Sequence, residues 1–109
     1  MVNPMRGEVA LVLDGQPHVA RLTLGALAEL EQGLDDANSS GAGLNGLVAR
    51  MDEGRFASRD ILAVLVAGLR GGGWQGQAGD LMAVQIEGGP LEAARIAARL
   101  LALAFRAPE

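Results

Sequence analysis

Apolar and polar residues alternate strictly near the start of the chain. In "RGEVALVLDGQPHVARLT", Val9, Leu11 and Leu13 fall on one face, and Asp14-Gly15 supplies a turn because both residues accept a positive φ. The pattern predicts a β-hairpin. Pairing Leu13 with His18, Leu11 with Ala20 and Val9 with Leu22 puts Val9, Leu11, Leu13, Ala20 and Leu22 on one side. A lone hairpin is marginal in water, so this side needs a cover. The helix immediately after it is the nearest one, through Leu27 and Leu30.

From Thr23 onward the period changes from two to between three and four. Leu24, Leu27, Leu30 and Leu34 form a helical stripe with Thr23 as N-cap, and the helix ends near Leu34. Glu31 lies between Leu24 and Leu27 on the helical wheel, whereas Glu29 points away. A carboxylate there either pairs with an Arg or sits at the edge of the stripe, and its long side chain favours the edge. Leu44, Leu47, Val48 and Met51 mark a second, short amphipathic helix. Ser58 is placed to cap a third, from Arg59 to Arg70, whose apolar residues nearly encircle the axis. Only the side bearing Arg59, Asp60, Ala63, Ala67 and Arg70 is left open, so this is the central helix. "GGGWQGQAG" breaks the chain. A short helix over Leu81–Glu87, capped by Asp80, comes next. Pro90 then opens a last helix that runs to about Arg106. The fold class is α+β: an N-terminal β-hairpin packed on a small bundle of four to five helices, with residues 1–109 as a single domain.

Composition narrows the function. The chain has 109 residues, half of them hydrophobic and 3% aromatic, so its core is built from small side chains. Cysteine is absent, which removes disulfides and thiolate metal sites. All nine basic residues are Arg, and the net charge of −4 opposes a general nucleic-acid binder. The start "MVNPMRGEV" has no signal-peptide core. The longest apolar run, "ILAVLVAGL", is far short of the roughly 20 residues of a membrane span. A cytoplasmic protein that binds neither nucleic acid nor membrane is expected.

Motifs for chemistry mostly dissolve on inspection. Gly71, Gly73 and Gly76 spell G-x-G-x-x-G, but they come after a helix and not a strand, so they read as a helix stop and loop. "DDANSSG" starts like a calcium loop, yet its twelfth position is Leu47 and not the bidentate Glu. His18 is the only histidine and reads as a hairpin residue. Ser39, Ser40 and Ser58 are the only serines and stand in loop or capping contexts. Trp74 reads as a cap on a small core. No catalytic residue, cofactor or metal is assigned.

The last helix is the strongest physical clue. Arg95, Arg99 and Arg106 line up in a narrow sector beside Glu92, and the remaining positions are apolar. A helix lying on one core needs an apolar arc of only about 100° or somewhat more. This arc is at least twice as wide. Either neighbours within the domain cover it, or part of it docks on a partner. Ile96 and Leu103 flank the Arg stripe on one side, and Ala94, Ala98 and Phe105 on the other. Arg95, Ile96, Arg99, Leu103 and Phe105 are the candidate protein-binding residues, with Phe105 and Arg99 as preferred anchors.

Several segments also carry a resemblance. "RGEVALVLDG", "RLTLGALAELE" and "GRFASRDILAVLVAGLRGGG", with the alanine-rich last helix, resemble the small protein encoded just before the tape-measure protein in phage-like gene transfer agents of alphaproteobacteria. The match covers most of the chain and is weakest over Asp35–Ala42 and Trp74–Gly89. It implies a non-enzymatic tail assembly chaperone that binds the tape-measure protein and tail-tube subunits; a homo-oligomer is expected instead from the last helix, if one of its flanking faces meets a second copy. A structural tail-tube or minor tail protein is the alternative. A helix-turn-helix DNA-binding regulator is the more distant one, since no basic recognition helix comes after "MDEGRFAS".

Overall fold

A computed structural model describes residues 7–37, 43–55 and 57–104. Strands β1 (Glu8–Leu13) and β2 (Gln16–Arg21) form an antiparallel ribbon. Five helices complete the chain: α1 (Leu24–Ala37), α2 (Gly43–Asp52), α3 (Ser58–Gly71), α4 (Ala78–Ala83) and α5 (Gly89–Ala104). The architecture is α+β, as the alternation and periodicity predict.

The ribbon's faces match expectation but its register does not. Leu13 pairs with Gln16, Leu11 with His18 and Val9 with Ala20, two positions away from the register expected on β2. The turn explains the difference. Asp14 and Gly15 both have positive φ, 50° and 79°, and close a two-residue turn of the type whose twist suits a hairpin. A shift of two residues leaves every side chain on the same face. Val9, Leu11, Leu13, Ala20 and Leu22 are therefore all buried, as the alternation requires.

The cover is not the one expected. The ribbon lies on α3 and α5, while α1 packs against α3 and α2. Along α3, α1 covers the side bearing Ala63, Val66, Ala67 and Arg70, and α5 covers the side bearing Leu65 and Gly68. At 100° per residue these two sides are roughly opposite. Helix α3 is thus the axis of the molecule, and Val64, Leu65 and Leu69 are among its most deeply buried side chains, together with Leu47 and Leu100. Burying each such side chain contributes about 1.5–3 kcal/mol.

Two features let β2 approach α3 so closely. A Cβ on Gly71 would land on the carbonyl oxygen of Arg21, and one on Gly72 on that of Val19. A Cβ on Gly68 would stand 2.8 Å from Leu100 Cδ1 and 3.3 Å from Ala20 Cβ. The glycines therefore do more than stop the helix: their missing side chains are where the backbone of β2 passes. The helix then ends in a Schellman motif. Trp74 N–H reaches Leu69 O at 2.9 Å, and Gly73 N–H reaches Arg70 O at 3.1 Å, with Gly73 at φ 107°. Trp74 is half-buried and packs on the core, the capping role its composition suggests.

The helix boundaries hold further corrections. Thr23 does cap α1, its Oγ1 accepting from Ala26 N–H at 3.1 Å, but the helix continues to Ala37. Leu24 is 84% exposed, and Ala26 takes its place in the buried stripe beside Leu30. Ser58 is the first residue of α3 and does not cap it. Asp60 does so from inside, its carboxylate accepting from Ala57 N–H at 2.8 Å. Asp80 plays the same part in α4, accepting from Gln77 N–H at 2.9 Å, so α4 starts three residues earlier than the sequence suggests.

The segment after α4 is extended rather than helical. Leu13 bridges Ile86, Asp14 N–H donates to Gln85 O at 2.8 Å, Gln85 N–H donates to Asp14 Oδ1 at 2.9 Å, and Glu87 N–H donates to Val12 O at 3.0 Å. Residues 85–87 thus line the turn end of β1 through a single β-bridge, without forming a strand of the sheet. Bare strand edges invite unwanted pairing, and this segment covers part of one.

Candidate protein-binding surface

The residues that hinted at chemistry are spent on structure. His18 is half-buried on β2 opposite Leu11, and Ser58 is exposed in the first turn of α3. Gly71, Gly73 and Gly76 surround the end of α3 and the ring of Trp74, against which a Cβ on Gly76 would collide. Asp36 belongs to α1, and Asn38, Ser39, Ser40 and Gly41 of the calcium-like loop lie outside the described residues. Among the described residues, no group of three or more His, Cys, Asp or Glu is placed to hold a metal ion. No helix among them is long and apolar enough to cross a membrane.

The buried charge in the core is structural. Asp60 is 4% exposed, although the sequence places it on the open side of α3. Arg50, from the last turn of α2, donates through Nε to Asp60 Oδ2 at 3.2 Å and through its terminal nitrogen to Oδ1 at 2.9 Å. Burial pushes the Asp60 carboxyl up. The Arg50 hydrogen bonds, the Ala57 N–H and the positive charges of Arg50 and Arg59 outweigh that and hold it below its ordinary range. This pair clamps α2 to the start of α3 while capping α3. Sequence reasoning missed it because a pair ten residues apart across a loop leaves no periodic trace. Glu29, by contrast, reaches Arg70 of α3 at 3.3 Å near the surface, and Glu31 is exposed at the edge of the stripe.

Two features of the exposed surface bear on binding. The first is the outer stripe of α5. Ala93, Ile96, Ala97, Leu100 and Leu101 are buried against the ribbon and α3, and Leu91, Arg95, Ala98, Arg99 and Ala102 face outward. Arg95 and Arg99 therefore stand free at the surface, with Arg95 3.9 Å from Glu92. Ile96 is 4% exposed and filled by the chain's own core, and Leu103 is half-buried against it. Phe105 and Arg106 lie outside the described residues. The wide apolar arc is thus largely covered from within, because α3 and the ribbon wrap the helix on both flanks of its buried face.

The second feature was not foreseen. Ile61, Leu62 and Leu65 of α3, Leu81 and Met82 of α4, and Ile86 line an open apolar groove of about 490 Å³, with Arg59 at its rim. Met82 is 74% exposed there. Its flexible thioether is the kind of side chain that adapts to varied partners. The sequence signal is faint: one Met on the outer side of a six-residue helix.

The chain belongs to the phage tail tube protein, GTA-gp10 family, whose model matches residues 6–107. That family is structural rather than enzymatic, and it is a gene transfer agent and phage tail family, as the resemblance implies. No curated protein and no solved structure matches the chain.

Proposed function

We propose that the protein is a structural component of a phage-like tail, acting by contact with other tail proteins and without chemistry of its own. The observation that carries this is the family match over residues 6–107, which describes a tail tube protein. The resemblance alone favours an assembly chaperone; the family description shifts the weight to the structural role. The surface supports a contact protein in general, since the outer stripe of α5 leaves charged side chains unspent.

One observation favours the chaperone as the second reading. The groove between α3 and α4 is open and apolar and carries an adaptable Met, the shape that receives the apolar face of an amphipathic helix. In that reading a helical segment of the tape-measure protein occupies it. The two roles separate in purified particles. A structural component is present there at a fixed ratio to the other tail proteins. A chaperone is needed for tails to form but is missing from the finished particle. Normal tails in a strain lacking the gene would sink both readings.

A further inference from the structure

The two outer edges of the ribbon are closed unequally. The two-residue turn makes Leu13 and Gln16 a hydrogen-bonded pair, so Leu11 with His18 and Val9 with Ala20 also bond across the ribbon. The alternate residues turn their backbone groups outward: Ala10 and Val12 on β1, and Pro17, Val19 and Arg21 on β2. On β2 this outer edge is shut. Pro17 has no N–H to offer, and the carbonyls of Val19 and Arg21 lie where Cβ atoms on Gly72 and Gly71 would be. On β1 the turn end is shut as well, since Glu87 N–H donates to Val12 O at 3.0 Å. Gly88 and Gly89, at φ 92° and 73°, then turn the chain away into α5. Ala10 comes next along the edge. It is exposed, its side chain is too small to shield the backbone, and among the described residues no backbone bond reaches its outer side. Beside this opening lies a shallow depression of about 810 Å³, lined in part by Val12, Asp14, Glu87 and Gly88. Its two charged groups, Asp14 and Glu87, are both acidic, and neither forms an ion pair among the described residues.

We infer that the outer edge of β1 at Ala10 receives an extended, basic segment of a partner protein, added antiparallel in line with residues 85–87. Strand addition takes its affinity from main-chain bonds and its selectivity from side chains. Here Ala10 N–H and C=O supply the main-chain bonds. Asp14 and Glu87 supply the selectivity, because a strand in line with residues 85–87 brings its N-terminal end against Glu87. A basic residue there meets carboxylates, and an acidic one is repelled. The open edge is short, so the contact is small, weak and quickly exchanging. The inference does not rest on the tail reading: it is measured on the purified chain with a synthetic strand, so its failure leaves that reading as it stands.

The test is an NMR titration of the isotope-labelled full chain with an acetylated heptapeptide of alternating Thr and Val that carries Lys at both ends. A counterpart with Glu at both ends is the control. The Lys-ended peptide shifts the Ala10 amide and slows its hydrogen exchange about tenfold or more. At low salt it binds about tenfold more tightly than the Glu-ended one. Ala10→Pro removes the outward N–H but no bond of the ribbon, so circular dichroism is unchanged and the response is lost. Glu87→Lys leaves the edge open and loses the preference for the Lys-ended peptide, a readout that serves even if Ala10→Pro unfolds. An Ala10 amide already protected in the free chain would show that the chain itself closes the edge. That result, no response to the Lys-ended peptide, an unchanged response in folded Ala10→Pro, an unchanged preference in Glu87→Lys, or shifts confined to the groove around Met82 would each overturn the inference.

Discussion

The two ends of α3 are held by opposite means. At its start, Asp60 and Arg50 form a charge pair that clamps α2 and caps the helix in one stroke. At its end, where Arg70 pairs with Glu29 of α1 near the surface, the ribbon is met by bare backbone. Gly68, Gly71 and Gly72 hold the ribbon by having no side chain, so that the carbonyls of Val19 and Arg21 rest against bare helix. One end depends on a group that is present and the other on a group that is missing. The first can be weakened by titration and the second only by adding atoms.

The sharpest way to break the comparison is at the glycine end. Gly71→Ala drives a methyl into a backbone carbonyl that has no rotamer to escape through. We expect a loss of about 4 kcal/mol or more, at the extreme of single substitutions. A thermal melt within a degree or two of the parent would show that β2 yields easily, and the close approach would lose its meaning.

Next comes the charged end. Asp60→Ala removes the partner of a half-buried Arg and a helix cap together, for about 2–4 kcal/mol; Arg50 keeps some access to water, which limits the cost. Its pH dependence sharpens the contrast. The Asp60 carboxyl titrates lower in the folded chain than in the unfolded one. Its contribution is therefore full above the unfolded value of about 3.9 and fades as pH falls through the folded one. Denaturant melts of the parent and Asp60→Asn should converge in acid. The gap between the parent and Gly71→Ala should hardly change with pH. Parallel pH profiles for all three would remove the distinction between the ends.

A milder probe is Gly68→Ala. Its new methyl meets the movable tip of Leu100 rather than backbone. Overpacking of about 1–3 kcal/mol is partly offset by the helix preference of Ala over Gly, about 1 kcal/mol. A loss as large as that of Gly71→Ala would mean that Leu100 has no room to turn. At the bottom of the scale, Arg55→Ala removes only an exposed pair with Glu53 and should leave the melt unchanged. A clear shift there would show that exposed charges near the α2–α3 connection matter as much as the buried one.

Legibility in the sequence divides along the same line. The period of two placed Val9, Leu11 and Leu13 on one face, but faces survive a slip of two residues, so the register depended on the turn. The helical periods located α1, α2, α3 and α5 and identified α3 as central, whereas the short helix expected over Leu81–Glu87 lies at Ala78–Ala83. They did not reveal that "GLRGGG" is an interface, since a glycine shows what it lacks only when the neighbouring strand is in view. Likewise Asp60 looked solvent-facing until α2 brought Arg50 across it. The Arg95 and Arg99 positions on the outer side of α5 were legible because charge at helical spacing marks a wet face; Ile96, next to them in sequence, went to the core for the same periodic reason. The groove around Met82 was not legible, because α4 ends earlier than its pattern suggests and Ile86 arrives from an extended segment.

The hydrogen bond from Gln85 N–H to Asp14 joins positions 71 residues apart. Drawing together points so distant along the chain has an entropic cost, although that cost grows only slowly with separation. It also has a temporal consequence. The hairpin is local and can form within microseconds. On the ribosome it emerges long before the segment that finishes its edge, at roughly 5–20 residues per second. For several seconds the newborn chain carries a β1 whose outer edge at the turn end is uncovered and whose apolar face awaits α3 and α5. The order of synthesis thus sets an interval in which this chain is most open to pairing with the wrong neighbour, and the arrival of residues 85–87 ends it.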